Sequence, residues 1–458
     1  MDFFVHDPFS GQVLNAYDAW TPPHLEAQIQ ASWKAQLTWR ERSVPDRVKF
    51  LERVRELMLQ RLEDLALTIT TEMGKRLSEA QAEVEKCAAL IKHYGENGQK
   101  YLAPRSIKAD GKRHEVCFEP LGPILSIMPW NFPLWQALRF GIPTILAGNT
   151  LLLKPAPETP LSSMKVEEIF KQVAQELQFG EDVFSVSLIH VRDMEKVIGS
   201  PLVRGVSFTG STETGKKVAE LSGRHLKKVL LELGGSDPFI VLPDANLETV
   251  VPEAVRTRML NCGQTCISGK RFLLPHNLKD QFVERMKKHF LNLKLGDPRQ
   301  STTTLAPLFH SRGVKTLEAL VSDAVEKGAT LHLGGGTIPG HPQFFSPTIL
   351  SGLTSKMKLY QAEAFGPVSL IFEYGEVDEA IRLANGTPYG LGASVWGQDS
   401  VLCERVARQV ECGSIFVNGM VKSDPRVPFG GVKASGYGRE LGELGILEFT
   451  NAKSYNFY

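Results

Sequence analysis

Charge of one sign is missing from this chain: 52 Lys plus Arg stand against 51 Asp plus Glu, a formal net charge of +1. So even a balance gives no electrostatic reason to expect nucleic acid or a membrane surface as a partner. Long apolar runs are missing as well, and nothing reaches the about 18 residues that a membrane span needs. Cysteine is scarce, six residues at irregular positions 87, 117, 262, 266, 403 and 412, which suits reduced thiols better than a disulfide framework. The opening "MDFFVHDPFSG" has neither a basic leader nor an apolar signal core, so a cytoplasmic protein is the expectation. Internal repeats and low-complexity tracts are also lacking.

What is present is an ordinary globular composition, 42% hydrophobic over 458 residues, too long for one core and therefore expected to form two or three domains. From Pro23 to about Gly98, apolar residues recur three and four apart, as in "RVKFLERVRELMLQRLEDLALTIT", the mark of amphipathic helices. Two short β-rich pieces follow, "HEVCFEPLG" and "ILSIMPW". Apolar strands then alternate with amphipathic helices, "NTLLLKPA" before "PLSSMKVEEIFKQVAQEL" and "VRGVSFTG" before "STETGKKVAELSG". That alternation predicts an α/β fold with parallel sheets and helical crossovers. A second α/β run is expected to begin near "KKVLLELGG", and the chain closes on the extended tail "NAKSYNFY".

Four stretches carry chemistry. In "VSFTGSTETG" a β-branched strand enters a turn at Gly210 and Ser211 that opens a helix. Amides at a helix start can hold a pyrophosphate, and the same residues also serve as an ordinary turn; the spacing is not GxGxxG. Lys154 closes the strand of "LLLKPAPETP", where α/β proteins place ligands, or it is simply a solvated strand-end lysine. Glu232 ends the apolar run of "KVLLELGG"; partly desolvated there, a carboxylate becomes a base near neutrality, whereas an exposed one does not. Finally "NCGQTCISGKRF" sets Cys262 and Cys266 four apart. Zinc would require further His or Cys ligands at matching spacing, and the flanks offer none, so no metal is expected.

Taken in order, "PWNFPLWQALRFGIPTILAGNTLLLKPAPETP", "FTGSTETG", "LELGG", "GQTCISGKRF", "EAFGPV" and "PFGGVKASGYGRE" resemble the NAD(P)-dependent aldehyde dehydrogenase superfamily from about residue 5 to the C-terminus. The resemblance implies two Rossmann-type α/β domains with a small β oligomerisation element. It makes Cys266, two residues after Gln264, the nucleophile and leaves Cys262 without a catalytic role. Thiolates suit aldehyde oxidation because they are strongly nucleophilic at modest pKa. Asn131 is implied as the oxyanion-hole donor, together with the backbone amide of Cys266, and Glu232 as the general base. Glu232 also argues for hydrolysis to a free acid over transfer to coenzyme A, since acylating relatives lack this base. Trp130, Lys154, Pro157, Gly210, Ser211, Glu363 and Phe365 are implied at the cofactor: Lys154 at the adenosine ribose, Ser211 in the pyrophosphate turn, Glu363 and Phe365 at the nicotinamide ribose.

Within the superfamily the nearest likeness is to bacterial succinate-semialdehyde dehydrogenases, carried by "NFPLWQALR", "GQTCISGKRF" and "NGMVKSDPRVPFGGVKASGYGRE". A semialdehyde's distant carboxylate needs a cation and donors when it leaves water. Arg139, Ser423 and Trp135 are expected to meet it, with Arg258 substituting for an arginine that some members carry at the place of Leu260. Oxidation of another aliphatic or aromatic aldehyde is the alternative, and a noncatalytic role on the same fold is the other class. Cofactor choice turns on Pro157, where many NAD-preferring relatives have a glutamate. A like-charge contact near 4 Å at an effective dielectric of about 20 is worth roughly 4 kcal/mol, and proline removes it. NADP is therefore expected, NAD remaining possible because Glu158 follows. The expected division is residues 1–102 and 127–231 for the cofactor, 232–417 for catalysis, and 103–126 with 418–458 for oligomerisation. The implied assembly is a homodimer or homotetramer, with no nucleic-acid or membrane partner.

Overall fold

The computed structural model describes residues 2–458. A first sheet has the strand order Gly436–Tyr437, Lys228–Glu232, Gly205–Thr209, Ile124–Ile127, Leu151–Lys154, Phe184–Val186. All its pairings are parallel except that of Gly436–Tyr437. A second sheet runs Thr330–Leu333, Thr348–Ser351, Val368–Tyr374, Gly269–Pro275, Asp237–Val241, Gly392–Trp396, Ser414–Val417, parallel except at Thr330–Leu333. Strands such as Gly205–Thr209 and Asp237–Val241 are buried at every position, which is why they read as unbroken apolar runs with no alternation. The α/β reading of the sequence holds for both sheets.

The first sheet has a switch point. From Ile124–Ile127 the chain steps outward to Leu151–Lys154 and Phe184–Val186, then returns to Gly205–Thr209 on the other side. Ligands of open α/β sheets lie beyond the strand carboxyl ends where the order reverses. Here those ends feed directly into the segments 128–131 and 210–211.

The N-terminal helices make a layer against this sheet. Trp39 donates its indole N–H to the carbonyl of Ile145 at 2.9 Å, and Leu77–Tyr101 packs on Pro133–Leu146, a helix buried along its whole length. Its start is clamped by Glu83, whose carboxylate accepts the amides of Leu134 at 3.0 Å and Trp135 at 2.9 Å and meets Lys75 at 2.5 Å. A carboxylate on bare amides at a helix start is favoured by the dipole and satisfies donors that Pro133 cannot extend.

The expected boundaries shift in three places. Strand Ile124–Ile127, of which residues 124–126 fall in the expected oligomerisation range, is a central strand of the first sheet, buried at all four positions. Lys228–Glu232 belongs to that first sheet too, so the second α/β unit begins at Asp237. From the tail, Gly436–Tyr437 closes an edge of the first sheet beside Glu232. What remains is a three-stranded antiparallel arm, Thr450–Phe457 on Arg113–Pro120 on Arg105–Ile107, in register from Thr450 opposite Pro120 to Phe457 opposite Arg113. No helix of the described residues is long and apolar enough to cross a membrane.

Candidate active site

Helix Leu247–Met259 ends in a reversal that has Asn261, Cys262 and Gly263 all in the left-handed region, φ 52°, 52° and 74°. For the two residues with side chains this costs about 1 to 3 kcal/mol each, so something must hold it. Asn261 donates from Nδ2 to the Asn131 carbonyl at 3.0 Å and its amide reaches Glu79 at 3.0 Å. Gln264 donates to the Asn261 carbonyl at 3.1 Å and accepts from the Phe309 amide at 2.9 Å. At Gly263 a side chain would strike the Gly366 carbonyl and the Arg258 guanidinium, so only glycine fits. Cys262 is buried with Sγ 3.2 Å from the Ala306 carbonyl, a packing residue, whereas Cys266 is half-buried. Gly235 lets the strand end approach the loop, since a Cβ there would lie 2.6 Å from the Cys266 carbonyl.

Two cavities share Cys266. One, about 290 Å³, lies at the switch point and is walled by Trp130, Asn131, Gly210, Ser211, Glu363 and Phe365. Trp130 stacks on Phe309 at 4.2 Å and meets Phe365 edge-on at 5.8 Å. Ser211 caps helix Thr212–Arg224, accepting from the Thr214 amide at 3.3 Å. The other, about 250 Å³, opens on the opposite side between helix Leu77–Tyr101, helix Pro133–Leu146 and the 420–429 loop, and includes Trp135, Arg139 and Ser423. Asn131 stands at the junction with Nδ2 3.1 Å from the Gln264 carbonyl and Oδ1 without a partner. A thiol between a mononucleotide-type crevice and a separate small pocket, with an amide donor fixed beside it, can attack a carbonyl from one side and release electrons to a cofactor on the other.

The aldehyde dehydrogenase family model matches residues 2–455. The chain belongs to the aldehyde dehydrogenase family. Succinate-semialdehyde dehydrogenase [NADP(+)] of Deinococcus radiodurans is 41% identical over 98% of this chain and 94% of its own. A probable enzyme of the same name from Synechocystis is 38% identical, covering 98% of each. The crystal structure of succinic semialdehyde dehydrogenase from Streptococcus pyogenes in complex with NADP+ superposes with a TM-score of 0.96 at 34% identity, over 99% of both chains.

Burial pushes the Cys266 thiol up to about 12, opposed by the charges of Arg139 and Lys270 and reinforced by Glu363 and Asp237. Lys270, fully buried, donates to the carbonyls of Thr265 at 2.9 Å and Cys266 at 2.7 Å and sits 3.3 Å from Glu363. Glu232 is buried, and burial followed by the neighbouring Glu440 pushes its carboxyl well above the usual range, with Arg139 and Arg439 pulling down. It faces Gly430, where a Cβ would lie 2.8 Å from Oε1, and is not part of either cavity wall.

The expected residues at the first cavity are therefore brought together, apart from two at its far side. Lys154 is buried at its strand end with Nζ 3.1 Å from the Pro155 carbonyl, and burial lowers its pKa to about 8 against the pull of Glu158. Pro157 is half-exposed just beyond it. At the substrate side the structure corrects one expectation. Arg258 does not reach the pocket: it is 0% exposed and its guanidinium donates to the carbonyls of Gly263 at 2.8 Å and Gly366 at 2.6 Å, with Gly269 at 3.3 Å. Two residues before Leu260 on a helix turns the side chain to the other face, where it braces the loop that carries Cys266. Arg139 does line the pocket, but its Nε is ion-paired with buried Glu440 and its guanidinium lies 4.6 Å over the Phe429 ring. Sequence reasoning missed Gln264 and Lys270 as braces of the loop, Lys86 as a pocket charge and Glu440 as the buried partner of Arg139. Lys270 and Glu440 stood inside quoted motifs; Lys86 sits in "EKCAAL", which nothing distinguishes from any amphipathic helix.

Proposed function

We propose that this aldehyde dehydrogenase oxidises succinate semialdehyde to succinate with NADP as the electron acceptor. The observation that carries the reading is Cys266 at the meeting of two cavities, one formed by the sheet's switch point and one small and lined with hydrogen-bond donors. At about 250 Å³ the latter falls below the about 300 to 1,000 Å³ of drug-sized sites, which favours an aldehyde of a few carbons. The NADP(+)-named relatives support both substrate and cofactor.

Residues of the first cavity fit the cofactor: Ser211 and Gly210 offer a helix start to the pyrophosphate and Glu363 a carboxylate to the ribose, while Lys154, at the neighbouring strand end outside the cavity wall, offers a cation with proline rather than an acid at residue 157. When bound, the nicotinamide supplies a hydride acceptor. Cys266 Sγ, as thiolate, bonds to the aldehyde carbon while the carbonyl π pair moves to oxygen. Asn131 Nδ2 and the Cys266 amide stabilise that oxygen. Loss of hydride returns the pair to C=O and leaves a thioester on Sγ. Glu232 takes a proton from water as the water's oxygen attacks the thioester carbon; the C–S bond breaks and Cys266 leaves as thiolate. The edge strands Arg105–Ile107 and Thr450–Phe457 of the arm carry unpaired backbone groups that a second copy covers, giving a homodimer or homotetramer.

A panel of aldehydes against NADP and NAD tests this, with reduced cofactor followed by absorbance. The highest kcat/KM is expected for succinate semialdehyde with NADP; equal rates with butanal and benzaldehyde would overturn the substrate, and a preference for NAD the cofactor.

A further inference from the structure

Three cations line the substrate cavity: Lys86, Arg139 and Lys422. Arg139 is committed to Glu440, and withdrawing it would leave a buried carboxylate uncompensated. Lys422 is exposed, so water screens it. The two acids of the wall are likewise occupied: Glu79 by Arg76 at 2.8 Å and the Asn261 amide, Glu83 by Lys75 and two helix amides. Lys86 is different. Its ammonium has no carboxylate within 4.0 Å among the described residues and rests 4.0 Å from the Trp135 ring centre, with Ser423 Oγ accepting from it at 2.8 Å. Ser423 Oγ also accepts from Trp135 Nε1 at 3.1 Å. With two donors already on that oxygen, the hydroxyl's own proton is left to donate elsewhere.

We infer that Lys86, with the Ser423 hydroxyl, is the receptor for the carboxylate at the far end of the aldehyde, taking the place expected of Arg258. The inference rests on the proposed ω-carboxy aldehyde substrate. An ammonium half-buried without a counter-ion is costly in the free enzyme, and an incoming carboxylate supplies what is missing. Burial lowers the Lys86 pKa to about 8, helped by Arg139 from the facing helix and opposed by Cys87 and Glu83 on its own helix and Asp424 from the 420–429 loop. Lys86 is therefore charged below about pH 8 and increasingly neutral above it.

The test is the ratio of kcat/KM for succinate semialdehyde to that for butanal, across pH 6.5 to about 10. Cys266, Glu232 and the cofactor act on both aldehydes, so their titrations cancel in the ratio. In the unaltered enzyme the ratio should fall as pH rises through about 8. Lys86→Met should lower it about 10- to 150-fold at pH 7 and flatten the profile, and Lys86→Arg should restore it with no fall through the alkaline range. A ratio near one in the unaltered enzyme would defeat the substrate reading itself. A ratio that is high, independent of pH and unaltered in Lys86→Met would leave that reading standing and overturn the role of Lys86. If Lys86→Met fails to fold, the contrast between the unaltered and Lys86→Arg profiles decides alone, identical profiles counting against Lys86.

Discussion

The two cavities that share Cys266 are built differently. Walls of the cofactor side come from strand-end turns, where local sequence and backbone direction are tied: Trp130 and Asn131 follow one strand and Gly210 and Ser211 its neighbour across the switch point. Walls of the substrate side come from four stretches, around residues 78–86, 132–139, 260–267 and 420–429, that meet only through tertiary packing. Backbone-built sites tolerate little and are recognisable in sequence. Side-chain-built sites depend on which neighbour claims each charge, and Arg139, Arg258 and Lys86 show three different outcomes for a cation.

The contrast can be tested first at the point common to both halves. Cys266→Ala should abolish turnover of every aldehyde while reduced cofactor still binds, as its fluorescence would report, and Cys262→Ala should keep most activity. Equal losses in two folded variants would remove the distinction between the thiols. Next comes Asn131→Ala, expected to lower kcat about 100- to 1000-fold for charged and neutral aldehydes alike, because its donor serves the carbonyl both share. A loss confined to the charged aldehyde would place Asn131 in the substrate half instead.

Arg258→Met separates bracing from binding. Several buried carbonyls lose a charged donor, so denaturant unfolding should show a loss of about 3 kcal/mol or more. The preference for succinate semialdehyde over butanal should not move; a selective loss on the charged substrate would return Arg258 to the pocket. Smallest is Pro157→Glu on the cofactor side, where partial exposure cuts the roughly 4 kcal/mol of an unscreened like-charge contact. About a tenfold fall in kcat/KM with NADP, but not with NAD, is expected from steady-state kinetics, and equal falls would take residue 157 away from the 2′-phosphate.

Sequence by itself determined the two α/β units and the strand ends at Lys154 and Gly210, because each depends on residues adjacent in the chain or on a strand-end position that the period of the pattern reveals; the role given to Cys266 came from the order of motifs shared with a family. Its expected boundary after residue 126 cuts through strand Ile124–Ile127, since an apolar strand of four residues reads the same at an edge and in a centre. Only the tertiary structure decided the charges. Glu440 lies 301 residues from Arg139 and Ser423 337 from Lys86, and no spacing rule connects them. Whether a buried guanidinium braces a loop, neutralises an acid or waits for a substrate is set by which acceptors packing brings within hydrogen-bond reach, and burial makes that choice costly to reverse.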